Sequence, residues 1–136
     1  DRHCGPIVGV NKFQPHSSTN KTVSFLVGCV YRPPLSSIDN GRILVDFIFS
    51  TAGKHNNTFI FGDFNLPDIS WPLDTNRIYS GSSQLLVELL VNSHLNEMVS
   101  QPTRYRSNQE PSTLDFIISS DSSSLVNLEY LDLIGK

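Results

Sequence analysis

The chain has 136 residues, 38% of them hydrophobic and 17% charged, which is enough for the core of one domain and argues against wholesale disorder. A net charge of −3 and a pI near 5.7 leave no basic footprint for non-specific nucleic-acid wrapping, yet permit acids that hold a cation against a single phosphate. No apolar run is long enough to span a bilayer, and no stretch reads as a signal peptide. The sequence opens without methionine in unremarkable polar residues, as a piece cut from a longer chain would. Cys4 and Cys29 have no ligand partners at zinc spacing, and Cys29, inside an apolar strand, is expected to be a buried free thiol. The two N-x-S/T triplets, at Asn20 and Asn56, are of a kind that chance supplies.

Residues 1–20 read as loop, apart from a short strand over Pro6–Val10. Thr22–Tyr31 is the clearest early strand. Val23, Phe25, Val27, Cys29 and Tyr31 share one face, and Ser24, Leu26, Gly28, Val30 and Arg32 the other. Apolar residues on both faces predict a central strand covered on each side. Pro33 and Pro34 end it, which leaves Tyr31 and Arg32 at its carboxyl rim. Ser36–Ala52 reads as a helix, capped by Ser37 or Asp39, with a stripe of Ile43, Leu44, Phe47 and Ile48 and a stop at Gly53. A strand over 58–62 follows, giving β-α-β order and a right-handed crossover.

Leu66–Ser80 is a long loop rich in Pro, Asp and Asn with Trp71 as its anchor; a loop of that length beside a polar turn is either functional or a packed surface loop. Ser82 or Ser83 opens a second helix whose stripe is Leu85, Leu86, Leu89 and Leu90, ending near Asn96. His94 fits a surface or helix-end histidine better than a ligand, with no second His or acid at metal spacing. Pro102–Arg106 is a turn with two arginines, Thr113–Ser119 a strand carrying Asp115, Ser119–Ser124 a solvated turn and Leu125–Leu133 a last strand.

Three polar groups therefore stand at strand ends: Tyr31-Arg-Pro-Pro34, Gly62-Asp-Phe-Asn65 and Ser112-Thr-Leu-Asp-Phe116. Strand ends that face one way make a common cleft. Asp63 and Asn65 project to one side of their strand while Phe64 anchors the other, an arrangement that suits a phosphoester site. Gly, Asp and Asn are also ordinary turn residues, and a plain turn accounts for the tetrapeptide equally well. Asp115 in an apolar strand needs a cation, histidine or donor; an ion pair with Arg104 or Arg106 would serve as well as a functional partner.

The ordered set YRPP, GDFN-LPDI-W, QPTR and STLDF, from about Val23 to Lys136, resembles the exonuclease–endonuclease–phosphatase superfamily with its deoxyribonuclease I-like fold. Within it, the set is most similar to the endonuclease domain encoded with the reverse transcriptase of non-long-terminal-repeat retrotransposons. The resemblance implies an α/β (α+β) chain, part of a four-layer αββα sandwich, which cleaves DNA phosphodiesters with Mg²⁺. It implies that Asp63 orients or activates the attacking water, that Asn65 holds the scissile phosphate and that Tyr31 contacts that phosphate near the metal. It further implies that Asp115 orients a catalytic histidine, with Arg32, Thr103, Arg104 and Ser112 on phosphate or nucleic acid and Asp63 the one candidate metal ligand. A monomer, or a section of a reverse transcriptase polyprotein, working inside the cell, the nucleus included, is the form the family takes.

The chain departs from the family pattern at two places. The family's metal-binding glutamate and first active-site asparagine lie on strands ahead of the matched region, and no glutamate occurs before Glu88. The closing Ser-Asp-His would follow Lys136, and His3, His16, His55 and His94 all fall outside the motif. Residues 1–136 are thus expected to be a single truncated domain, inactive or nearly so, with an unpaired edge and exposed apolar surface. A phosphatase of small molecules or lipids on the same fold, or a non-catalytic interaction module, are the alternatives.

Overall fold

The computed structural model describes residues 7–13 as backbone, together with residues 24–124 and 127–131. Its elements are β1 (Ile7–Phe13), β2 (Phe25–Tyr31), α1 (Ile38–Lys54), β3 (Thr58–Asp63), α2 (Gly81–Asn92), β4 (Asn96–Glu97), β5 (Asp115–Ser119) and a 3₁₀ turn over Ser122–Ser124. The strands form one mixed sheet in the order β1-β2-β3-β5-β4. β2 and β3 are parallel, as the β-α-β order predicts, and the other pairs are antiparallel. This is the mixed α/β architecture expected. No helix among the described residues is long and apolar enough to cross a membrane.

Both helices lie on one face of the sheet. Val30, Ile60, Phe64, Phe116 and Ile118 meet Leu44 and Ile48 of α1 and Leu86, Val87, Leu89 and Leu90 of α2 in a single cluster. The alternation of a strand decides which residues enter it, since Val30, Ile60 and Ile118 are all 1% exposed or less while their chain neighbours Cys29 and Phe61 are exposed. Each buried aliphatic or aromatic side chain of this cluster contributes about 1.5–3 kcal/mol relative to exposure.

The opposite face of the sheet, with Phe25, Val27, Cys29, Phe59, Phe61 and Ile117, has no layer over it among the described residues. This corrects the expectation that β2 is covered on both sides, and with it the buried thiol: Cys29 is free and exposed. Its strand parity puts it with Tyr31, away from the helices. Apolar side chains are exposed on this face among the described residues, with Phe61 at 43% exposure and Phe25 against Phe59 at a centroid separation of 5.8 Å.

Local signals set the helix ends. Ser37 caps α1 by accepting the Asn40 N–H, Asp39 sits in the first turn and Lys54 in the last, where each suits the helix dipole. Gly53 does not stop the helix, which runs one residue further to an extended His55. Ile43, expected in the core stripe, is 56% exposed, because Leu44 and Ile48 carry the buried line. α2 starts one or two residues before the expected serines, at Gly81, and ends at Asn92, where Ser93 N–H returns to Leu89 O. Gly41 lets the helices cross closely, since a Cβ there would sit 2.3 Å from Ser82 Oγ.

The long loop after β3 is packed. Phe64, Leu66, Ile69 and Tyr79 are buried, and Trp71 meets the Phe116 ring edge-on at 5.4 Å. The expected strand over Leu125–Leu133 is not formed by its described part, residues 127–131; the rest of it lies outside the described residues, as do Cys4, His3, His16 and Asn20. Tyr130 instead reaches back, its hydroxyl accepting the Ser100 N–H at 2.9 Å. β4 was not apparent in the sequence, being two residues long.

Two stability predictions follow from single residues. Gly62 has φ +149° and a Cβ there would lie 1.8 Å from the Val30 carbonyl oxygen, so Gly62→Ala should cost more than the roughly 1–3 kcal/mol of backbone strain alone, read as a lowered denaturation midpoint. Glu97, half-buried on β4, has its carboxyl pushed by burial from 4.5 up to about 8, although it accepts the Val99 N–H at 2.7 Å. The folded state then binds the proton more tightly than the unfolded one. Stability should fall as pH rises from 4.5 towards about 8. Denaturant titrations across that range should show the slope, and Glu97→Gln should flatten it.

Candidate active site

The strand register builds the site. Tyr31 on β2 pairs with Asp63 on β3, and Asp63 pairs with Asp115 on β5. Directly opposed residues project to the same face, so the three side chains form one row across three adjacent strands. This is the uncovered face, at the carboxyl ends of β2 and β3, and there Tyr31 is 43% exposed. Proline at 33 and 34 prevents β2 from continuing past the row.

Behind Asp63 the chain turns sharply. Asp63 Oδ1 accepts the Asn65 N–H at 3.1 Å, an Asx turn, and Asn65 takes a left-handed φ of 47°. Phe64 N–H donates to Leu114 O at 2.8 Å, and the Phe64 ring stacks on Phe116 at 4.8 Å in the core. The anchoring role expected of Phe64 is thereby met, and Asn65 is returned to the side of Asp63.

A second wall comes from the segment between β4 and β5. Arg104 and Ser112 form an antiparallel bridge that closes a hairpin around Asn108, and Thr103 leads into it. Thr103 Oγ1 accepts the Leu114 and Asp115 N–H groups at 3.1 and 3.2 Å, so the hydroxyl fixes the start of β5 as well as facing the cleft. Tyr31, Pro34, Asp63, Asn65, Thr103, Arg104, Arg106, Leu114 and Asp115 together line an open cleft of about 340 Å³. Arg104 and Arg106 also border a neighbouring hollow of about 300 Å³ that Ser112 helps to line.

Of the eight site residues expected from the sequence, six therefore meet in one cleft: Tyr31, Asp63, Asn65, Thr103, Arg104 and Asp115. Ser112 stands in the adjoining hollow, with its backbone engaged by Arg104. Arg32 is a correction. It is 5% exposed and on the helix side of the sheet, where Nη1 donates to Asn65 O at 3.2 Å and Nη2 to Ser36 O and Ser82 Oγ, both at 3.1 Å. A guanidinium so engaged has no access to a phosphate in the cleft. Arg106 is the residue that sequence reasoning did not place in the site. Its spacing of two from Arg104 was the available signal, because alternation puts both on one side of an extended segment.

The cleft is electrically divided. Asp63 and Asp115 stand side by side, and burial, opposed by the Asn65 backbone N–H and assisted by the charge of Asp115, raises the Asp63 pKa from its ordinary value. No ion pair joins Asp115 to Arg104 or Arg106; among the described residues the one ion pair is Arg42–Asp39 on α1, at 2.8 Å. Two acids and an amide on one wall, facing two guanidinium groups on the other, can take a phosphate chain together with a cation. No three His, Cys, Asp or Glu side chains gather as a self-sufficient metal site among the described residues. One or two carboxylates with water and phosphate oxygens are what Mg²⁺ uses, so Asp63 and Asp115 fit that ion in the presence of substrate. His55, bonded within its own turn to Asn57, and His94, just after α2 with φ 52°, do not line the cleft.

The electrostatic coupling is directly measurable. Asp115→Asn removes the neighbouring negative charge, so the Asp63 carboxyl should titrate at lower pH in the variant, followed by carboxyl ¹³C NMR.

A search of curated proteins finds no match to this chain. A family model described as endonuclease-reverse transcriptase matches residues 25–133, from the first residue of β2 to beyond the last strand of the cleft. That span holds the entire row of Tyr31, Asp63 and Asp115 and both cleft arginines, and the chain belongs to the endonuclease-reverse transcriptase family.

Proposed function

We propose that this chain carries the phosphodiester-binding half of a DNA-nicking endonuclease of the retroelement type, working with Mg²⁺. The observation that carries the reading is the in-register row of Tyr31, Asp63 and Asp115 beside Asn65 and the arginine wall. Family membership gives the endonuclease class, while DNA as substrate, Mg²⁺ and the roles of individual residues are our assignment.

In this mechanism Asp63 orients the attacking water. Its carboxylate accepts a hydrogen bond from that water, and the Asn65 N–H holds it in place. The Asn65 amide donates to a non-bridging oxygen of the scissile phosphate. Tyr31, exposed at the far end of the row, donates its hydroxyl to the same phosphate. Asp115 is the acid that would hold a histidine ring in the tautomer that protonates the leaving oxygen, by the logic of an acid–histidine pair, and no described histidine lines the cleft to meet it. Thr103 and Arg104, with Arg106, bind the flanking backbone. Bound Mg²⁺ would neutralise charge developing on the phosphate, held by Asp63 with Asp115 beside it. Positioning and charge neutralisation are most of what phosphoryl transfer asks of a protein.

The cleft supplies acids, an amide and cations, and the leaving oxygen needs a proton from a further group. The 136-residue chain should therefore associate with duplex DNA in Mg²⁺ and nick it faintly. Anisotropy titrations with a labelled duplex should show weaker binding for Arg104→Ala at every sequence, and a salt slope reduced by about one. Association indifferent to both Mg²⁺ and Arg104 would remove DNA as the ligand. Vigorous Mg²⁺-dependent nicking of supercoiled plasmid, lost in Asp63→Ala, would instead show that another group already delivers the proton.

A further inference from the structure

We infer that Arg32, beneath the cleft rather than in it, is the positioning residue for the Asn65 amide, and that the crossing of α1 and α2 at Gly41 and Ser82 holds Arg32 in place. The inference rests on the reading of Asn65 as the phosphate-holding amide, and adds a residue that no part of that reading requires.

Asn65 adopts a backbone conformation that non-glycine residues populate sparsely, and something must hold it there. Arg32 bonds it twice, once from the side chain and once from the main chain, and its N–H holds the Asp63 carbonyl two residues before. Its Nη1 donates to the Asn65 carbonyl oxygen at 3.2 Å, its own carbonyl oxygen accepts a hydrogen bond from Asn65 Nδ2, and its N–H donates to Asp63 O at 2.8 Å. The bond to Nδ2 fixes the rotation of the amide. It consumes one of that nitrogen's two hydrogens and leaves the second, with Oδ1, for a ligand. Both residues that the proposed mechanism places on the phosphate and the water thus hang from one residue of β2.

The guanidinium is held in turn from the helix side. Nη2 donates to Ser36 O and to Ser82 Oγ, each at 3.1 Å, and Asp68 provides a favourable charge nearby. Ser82 lies against Gly41 of α1, where an added Cβ would come within 2.3 Å of the hydroxyl oxygen and 2.8 Å of Ser82 Cβ. The missing side chain at Gly41 leaves the space that Ser82 occupies, and its hydroxyl there accepts from the Arg32 fork. A lysine could supply the charge but not three directed N–H bonds from a planar group. The line from the helix crossing to the cleft is Gly41, Ser82, Arg32, Asn65, each step a contact or a hydrogen bond.

The test reads Asn65 directly, without DNA or cleavage. In ¹H–¹⁵N spectra of the full chain, the two Asn65 side-chain amide protons should be well separated, one bonded and one free. In Arg32→Gln that separation should collapse, in Arg32→Lys it should shrink, and in Gly41→Ala, which alters neither Arg32 nor Asn65, it should also shrink. A merely structural arginine would lower the melting temperature of these variants and leave the Asn65 pair unmoved, and that result in folded Arg32→Lys and Gly41→Ala overturns the inference even if Arg32→Gln fails to fold. Duplex affinity in Mg²⁺ should fall by about tenfold in Arg32→Lys, the lower end of the losses seen when a residue that orients a metal-binding group is removed. A displaced Asn65 amide with unchanged duplex affinity would sustain the positioning role of Arg32 and refute the phosphate role of Asn65.

Discussion

Everything in the cleft depends on the pairing register of three strands. The site exists because residue 31 of β2, residue 63 of β3 and residue 115 of β5 stand opposite one another. A slip of one residue in any of these strands would turn its polar residue towards the helices and break the row. Such a slip is opposed by the core, because the same register that lines up the acids puts Val30, Ile60 and Ile118 against α1 and α2. The hydrophobic side of the sheet thus sets the alignment, and the polar row on the other side inherits it. Gly62 tightens this further, since the close approach of its α-carbon to the Val30 carbonyl leaves no room for a side chain one residue before Asp63.

Holding two carboxylates in direct opposition is unfavourable, and the surroundings show how the fold tolerates it. Asp115 is exposed, so water screens its charge, while Asp63 is partly buried and its pKa is raised by that burial first and by the charge of Asp115 in smaller measure. The arginines that could have neutralised the pair stand across the cleft without forming an ion pair with it. An arrangement of that kind is weakly stabilising for the folded chain and well suited to a ligand that brings its own opposite charges. A phosphate chain with a bound cation does so, meeting acids through the metal and guanidinium groups through oxygen. The acidic pI of the chain is compatible with such a ligand because the two arginines are concentrated at the cleft.

Much of this was legible in the sequence, and the limits have physical causes. β2, α1, β3, α2 and β5 were marked by apolar periodicity and by punctuation at Pro33, Ser37 and Gly62. Tyr31, Asp63, Asn65 and Asp115 were marked by their position at strand ends, and Thr103 and Arg104 by the family resemblance of the turn that holds them. What the sequence could not express was which face of β2 the helices would cover. Phe25, Val27 and Cys29 are as apolar as Leu26 and Val30, and the choice was made by the partners available, not by the strand itself. The misplacement of the Cys29 thiol follows from that ambiguity. β4 escaped because two residues carry no periodicity, and Ile43 was misassigned because a helical stripe of apolar residues is wider than the line that reaches the core. The loop from Leu66 to Ser80 lacks any regular period, yet it buries Leu66, Ile69 and Tyr79, a packing that only the tertiary structure reveals.

Arginine makes the same point about position over residue type. Arg32, Arg104 and Arg106 carry the same group, and the sequence offered the first two equally as phosphate contacts. Tyr31 and Arg32 are adjacent on one strand, so alternation requires that if one faces the open side, the other enters the helix side. Once Tyr31 is in the row, Arg32 is committed to the interior, where burial lowers its pKa and three oxygen acceptors meet its two terminal nitrogens while Nε stays without a partner. Those acceptors include the carbonyl of the residue whose amide lines the cleft. A buried cation left without such partners would be strongly destabilising, so its hydrogen bonds must form if the chain is to fold, and forming them shapes the turn at Asn65. The geometry of the cleft is in this way a by-product of satisfying one charge behind it.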